Sequence, residues 1–163
     1  MLKLYIGVDP GASGALAALT EDRRIESIID MPMIKKGLVD GAAVARWVGE
    51  VRSAYRTDRI VGARVEQVSA MPRQGVASSF NFGSAYGGVV SALHACKVPI
   101  DFVTPAKWKR DMKLEAAKDA SMRMVAMKWP DRVEEYFKRM KDDGRAEAAL
   151  IALHMRDEYA GVS

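Results

Sequence analysis

One stretch constrains the architecture more than any other: Leu4-Tyr5-Ile6-Gly7-Val8-Asp9-Pro10-Gly11, an apolar run that ends on a carboxylate and a chain stop. Side chains alternate across a strand, so Leu4, Ile6 and Val8 share one face and Tyr5, Gly7 and Asp9 the other. Both faces are apolar or small until Asp9, which predicts a central strand covered on both sides. Asp9-Pro10-Gly11 ends it, because proline fixes φ and glycine accepts positive φ. A second apolar run, Ala15 to Leu19, follows at hairpin distance. A carboxylate at the end of a buried strand is costly unless it is paired or bound to a cation. An Asp that merely opens a turn is equally familiar, so Asp9 alone does not decide between the two.

The rest of the chain supplies the context. Residues 2–8, 15–20 and 24–31 are expected to form three strands of a meander. A loop is expected over 32–37, then a helix capped by Asp40, with Ala43, Val44, Trp47, Val48 and Val51 recurring at helical spacing to about Tyr55. Residues 59–67 form a fourth strand. A helical crossover precedes it, so it should lie parallel to the first strand, and it too ends in an acid, Glu66. Two parallel neighbours ending in carboxylates place those groups together, where open α/β sheets bind ligands. A polar loop over 69–77 leads to a long helix, capped by Ser78 or Ser79 and ending near Cys96. Its glycines Gly83, Gly87 and Gly88 suit packing against the sheet or, second, a subunit interface. A fifth strand is expected over 98–103. Thr104-Pro105 then opens a helix, 116–128 forms another with Met122, Val125, Ala126 and Trp129 inward, and 131–140 a short one. A last helix starts at the acidic Asp142-Asp143. The expected class is α/β: a five-stranded mixed sheet, three antiparallel strands then parallel ones, flanked by helices.

The 163 residues suffice for one domain with a full core, spanning 1–163. No signal peptide is expected, and no apolar run approaches the ~18 residues of a membrane span. The one cysteine, Cys96, excludes an internal disulfide or a cysteine zinc cluster and suits a small buried hydrophobe. A reducing, cytoplasmic setting follows. The charge is uneven: residues 105–141 hold 11 of the 25 basic residues but 6 of the 21 acidic ones. This excess suits a phosphate-facing surface as well as a pair of solvated helices.

Asp143 and Glu147 stand four apart, on one helix face and ~6 Å along the axis. Like charges so placed weaken a plain helix, so solvent, Arg145 or a cation must offset them; Asp142 faces elsewhere. Asp9, Glu66, Asp143 and Glu147 thus form the candidate site. An all-oxygen set without cysteine or paired histidine favours Mg²⁺ or Mn²⁺. Two such ions ~3.5–4 Å apart would clamp the attacking water and the leaving oxygen in phosphodiester cleavage.

On these residues the chain resembles the RuvC family of Holliday-junction resolvases, of RNase H-like fold. The matching pieces are Gly7-Val8-Asp9-Pro10-Gly11, Val65-Glu66-Gln67, Gly83-X-X-X-Gly87, Lys118-Asp119-Ala120-Ser121 and Asp143-Gly144-Arg145-Ala146-Glu147-Ala148, in order over nearly the whole chain. The resemblance implies that Asp9, Glu66 and the final acidic pair bind metal, two ions per site, and that Lys118 stabilises the scissile phosphate. It also implies a homodimer that nicks four-way or branched DNA symmetrically, leaving 5′-phosphate and 3′-hydroxyl, without a nucleotide cofactor. Lys107, Lys109, Arg110, Lys118 and Arg123, with Arg73 and Gln74 in the 69–77 loop, are the expected DNA contacts. Two departures stand out. The last motif is Asp143-X-X-X-Glu147, closer to the phage and chloroplast branches than to the bacterial Asp-X-X-Asp, which suggests a bacterial or phage-infected cell. The loop lacks the apolar wedge of the bacterial proteins, while Phe80 and Phe82 beyond it suit base stacking or core packing.

Other functions fit less of the chain. A nuclease cutting flaps or RNA–DNA hybrids would use the same acids. A non-catalytic branched-DNA-binding module would have to tolerate four acids facing phosphates. An actin-like ATPase or sugar kinase shares the opening hairpin but needs a second lobe.

Overall fold

The computed structural model describes residues 3–54, 60–67 and 75–161. The chain opens as an antiparallel meander, β1 (Leu4–Asp9), β2 (Ala15–Thr20) and β3 (Ile25–Asp30). A two-stranded hairpin, β4 (Met33–Lys35) and β5 (Leu38–Val39), and helix α1 (Gly41–Ala54) lead to β6 (Ile60–Glu66). Helix α2 (Val76–Ala95), β7 (Ile100–Val103), α3 (Pro105–Asp111), α4 (Ala120–Lys128), the single turn α5 (Val133–Tyr136) and α6 (Asp143–Tyr159) complete it. Among the described residues the main sheet has five strands in the order β3-β2-β1-β6-β7. The β1–β2 and β2–β3 pairs are antiparallel, β1–β6 and β6–β7 parallel. The expected class and strand senses hold.

Alternation along β1 sorts its side chains between two cores. Leu4, Ile6 and Val8 join Leu16, Ala18 and Val65 under α1 and α2, where Val44, Trp47, Val89 and Leu93 are buried. Ala15, Ala17, Leu19 and Val103 face the other way, onto Ala148, Ile151 and Ala152 of α6, with Trp108, Val125 and Trp129 beside them. The central strand is covered on both sides, as its sequence requires.

Several local expectations change. The 32–37 loop is largely the β4–β5 hairpin: Gly37, at φ +79°, turns it, and the Asp40 N–H donates to the Pro32 carbonyl over 2.8 Å to close it. Val39 is buried against Gly88, where an added Cβ would lie 3.2 Å away. Gly75, in extended conformation, caps α2 in place of Ser78 or Ser79. Gly83 and Gly87 face open space, so of the three glycines only Gly88 packs inward. Helix α4 begins at Ala120 rather than 116, because residues 115–119 are exposed and offer no apolar face to bury. Its buried residues are Ala120, Ser121 and Val125, with Trp129 beyond and Met122 partly buried against the core as expected; Ala126 is exposed. The 131–140 helix shrinks to one turn because Phe137, at φ −126°, leaves the helix and enters the core. Cys96 is half-buried against the α1/α2 core. Thr104 does cap α3, its hydroxyl accepting from the Lys107 N–H over 3.3 Å, and Asp40 accepts from the Ala43 N–H over 2.9 Å. No described helix is long and apolar enough to cross a membrane.

Candidate active site

Glycines bring the two ends of the chain together. An added Cβ on Gly7 would lie 2.0 Å from the Ala148 carbonyl oxygen and 2.3 Å from the Ala152 nitrogen, so α6 rests backbone to backbone on β1. At the start of α6, a Cβ on Gly144 would lie 2.3 Å from the Ser13 carbonyl oxygen and 3.2 Å from Asp9 Oδ2. Asp143 and Glu147, one residue before and three after this contact, are thereby held over the end of β1. Asp9 itself sits on the α6 side of the sheet in a tight turn. The Gly14 N–H donates to the Gly11 carbonyl over 2.9 Å, and a Cβ on Gly14 would stand 2.1 Å from the Asp9 carbonyl oxygen.

Glu66 reaches the same end from β6. It is buried, and the indole N–H of Trp108, itself fully buried on α3, donates to its Oε1 over 2.7 Å. The Gln67 N–H donates to the Val103 carbonyl over 2.7 Å, extending the parallel pairing past the acid.

The four carboxylates feel one another. Burial first, then Glu147, Glu66 and Asp143, push Asp9 up to about 7. Burial raises Glu66 too, opposed by the Trp108 hydrogen bond and reinforced by Glu147. Asp143 is raised by burial and Glu147, with Lys109 and Lys118 pulling back. Among the described residues, one ammonium enters the cluster. Lys109 Nζ lies 2.7 Å from Glu147 Oε1 and 5.2 Å from the Trp108 ring centroid. Burial opposes its charge, but Glu147, Glu66 and Asp143 more than offset this and raise its pKa. An oxygen-only donor set, crowded enough to hold a proton near neutrality and to draw in a lysine, is the chemistry a hard divalent cation satisfies. The residues present fit such a group.

The expected DNA contacts divide. Lys118 lies exposed on the turn before α4, within electrostatic reach of Asp143. Lys109, partly exposed, reaches the acids. Lys107 turns away, to Asp111 at 2.8 Å and Glu158 at 2.5 Å. Glu158 is eleven residues beyond Glu147, about 16 Å along the helix axis. Arg110 pairs with Asp111, and Arg123 with Glu115 and Asp119. Arg73 and Gln74 lie outside the described residues, as do most of the 69–77 loop and Met71. Phe80 is exposed, and Phe82 lies 6.3 Å from the Tyr86 ring. Asp142 is buried away from the cluster, gripped by Arg139 at 2.6 Å.

His154 shares the Glu147 face by spacing but serves another network. Arg64 Nη1 lies 2.8 Å from its Nδ1 and Asp111 Oδ2 3.1 Å from its Nε2. A guanidinium only donates, so Nδ1 accepts and Nε2 carries the proton toward Asp111. Burial lowers its pKa and keeps it neutral. Asp111, His154 and Glu158 lie close enough together to hold a metal ion, yet Lys107 and Arg64 already neutralise both acids. Trp108 as the clamp on Glu66 was not anticipated from the sequence. The available signal was a lone indole set among charged residues in a short helix capped by Thr104-Pro105.

Solved structures share this fold. The chain matches Thermus thermophilus RuvC in complex with a Holliday junction substrate at a TM-score of 0.63, and a second T. thermophilus RuvC structure at 0.61. In each case 98% of this chain and 97% of the other are covered at 20% identity. The fold is that of RuvC. The sheet order, the helix layers and the mixed strand senses are those of the RNase H-like arrangement. No protein-family model and no curated protein sequence matches the chain.

Proposed function

We propose that this chain is a divalent-metal-dependent endonuclease that resolves Holliday junctions or related branched DNA, acting as a homodimer of one RuvC-like nuclease domain, residues 1–163. One observation carries the reading: on a RuvC fold, acids from β1, β6 and α6 converge at the carboxyl ends of two parallel strands, close enough to raise one another's pKa. Asp9, Glu66, Asp143 and Glu147 would hold Mg²⁺ or Mn²⁺, two ions per site, supplying an activated water and a counter-charge for the leaving oxygen.

The chain's own groups do the rest. Trp108 holds the Glu66 carboxylate in one orientation through its N–H. Asp9 gives up its proton when it becomes a ligand. Lys109, poised on Glu147, and Lys118, within electrostatic reach of Asp143, supply positive charge where a phosphate would lose or gain charge on going to the transition state. In-line attack of water on phosphorus breaks the P–O3′ bond, leaving 5′-phosphate and 3′-hydroxyl. Each copy in the dimer cuts one of two strands.

A panel of four-way junction, flap, RNA–DNA hybrid and linear duplex, each with Mg²⁺ and with Mn²⁺, tests the reading. Paired nicks in the junction, lost in Asp9→Asn and Glu66→Gln, are expected. Junction binding with no cut in either metal would favour a non-catalytic module. Equal cutting of flap or hybrid would favour a less selective nuclease.

A further inference from the structure

A groove of about 460 Å³, whose lining does not include Lys109, opens between the 10–14 turn and the start of α6. Asp9 and Asp143 of the cluster line it together with Gly11 and Ser13 of the turn and Lys141. The cations around it are otherwise committed. Arg139 is bound to Asp142 at 2.6 Å and Arg145 to Asp30 at 2.6 and 2.8 Å. Lys141 is exposed and has no hydrogen bond or ion pair among the described residues, although Asp142 adjoins it in sequence. Asp142 is taken by Arg139 and Arg145, so the lysine's charge is uncompensated.

We infer that this groove seats a nucleic-acid phosphodiester flanking the one to be cut, and that Lys141 is its contact. This rests on the reading of the cluster as a nuclease site. A polyanionic strand lying across four carboxylates is repelled wherever no cation intervenes. Leaving the cluster toward the 10–14 turn, the first unmatched positive charge it meets is Lys141. The wall it passes is low, since Gly11, Ala12, Ser13 and Gly14 carry little or no side chain, and a backbone can approach closely. Ser13, exposed on that wall, offers a hydroxyl donor to the same phosphate. The groove is open and continuous with the cluster, which suits a chain passing through rather than a small anion held within.

The test is binding of a synthetic four-way junction to the full chain, with Ca²⁺ in place of Mg²⁺ to suppress cutting, across a salt series. Each phosphate contact contributes about 0.9 to the slope of log affinity against log salt. Lys141→Ala should therefore reduce the slope by about 0.9, so that the wild-type advantage shrinks by about 3.5-fold between 50 and 200 mM salt. Lys141→Arg should keep the wild-type slope. Lys138→Ala, which removes a lysine already paired with Glu134 at 2.7 Å, should also keep it. An unchanged slope in Lys141→Ala, or an equal drop in Lys138→Ala, overturns the inference. Failure of the wild type to bind the junction sinks the junction reading instead. The same slopes, measured on whichever flap, hybrid or single strand it does bind, then decide the groove. Binding to none of them overturns both.

Discussion

Asp9 carries a proton that the unfolded chain would not hold. Its carboxyl ionises near 3.8 when unfolded and at about 7 in the fold, because burial and then Glu147 disfavour its charge. Between those values the unfolded chain has released a proton that the native chain keeps. This group therefore makes metal-free protein less stable as pH rises through that window, by at most about 1.4 kcal/mol per pH unit, and the loss is complete above about 7. Asp9→Asn removes it. In EDTA, the melting temperature of the variant minus that of wild type should be near zero at pH 4 and grow up to pH 7.5. Added Mg²⁺ should reverse its sign, while cleavage falls by more than about 10²-fold. A difference that stays flat with pH would mean that burial and the neighbouring acids do not raise Asp9. Asp9 and Glu66 were legible in the sequence because each ends an apolar strand run, where a charge has no structural reason to be. Lys109 was singled out only as one basic residue among several, since in a seven-residue helix Lys107 and Arg110 look equally exposed; its turn into the acids is decided by the packing of Trp108.

At the scale of elements, the approach of α6 to β1 positions the acids, and it depends on a missing side chain. Gly7→Ala would place a methyl against backbone atoms at 2.0 and 2.3 Å, which no rotamer can relieve. The helix must lift, so we expect a loss of at least about 3 kcal/mol in urea denaturation, the upper range of overpacking costs. Any folded fraction should bind Mn²⁺ more weakly, because Asp143 and Glu147 move with the helix. The order and sense of the strands followed from hydrophobic period and connection length, both local in sequence. The β4–β5 hairpin was hidden because Pro32 and Gly37 mark a turn whether or not short strands flank it. What makes it a hairpin is Val39 lodging on Gly88, a contact across fifty residues. The late start of α4 has the same origin, since helical spacing continues back to 116 but only Ala120 onward has a core to meet.

Across the whole molecule, one buried cation ties the far end of the sheet to the helices. Arg64 of β6 reaches Asp101 of β7 at 2.7 Å, Glu158 of α6 at 2.7 Å and His154 at 2.8 Å. Arg64→Ala leaves two acids and a ring nitrogen facing each other. Breaking a fully buried pair costs about 3–5 kcal/mol, and because Asp101 and Glu158 are half-exposed we expect about 2–3. Thermal or urea unfolding would register this as a lowered midpoint. The placement of α6 also bears on how such a protein comes into being. Every element that precedes it together supplies two of the four carboxylates, and the other two are translated after all the strands. A nascent or truncated chain that stops before residue 143 thus carries half of a cation site and an uncovered sheet. On the proposed function, a chain that stops there has no complete site and should neither bind the metal nor cut, whatever the rest of it folds into.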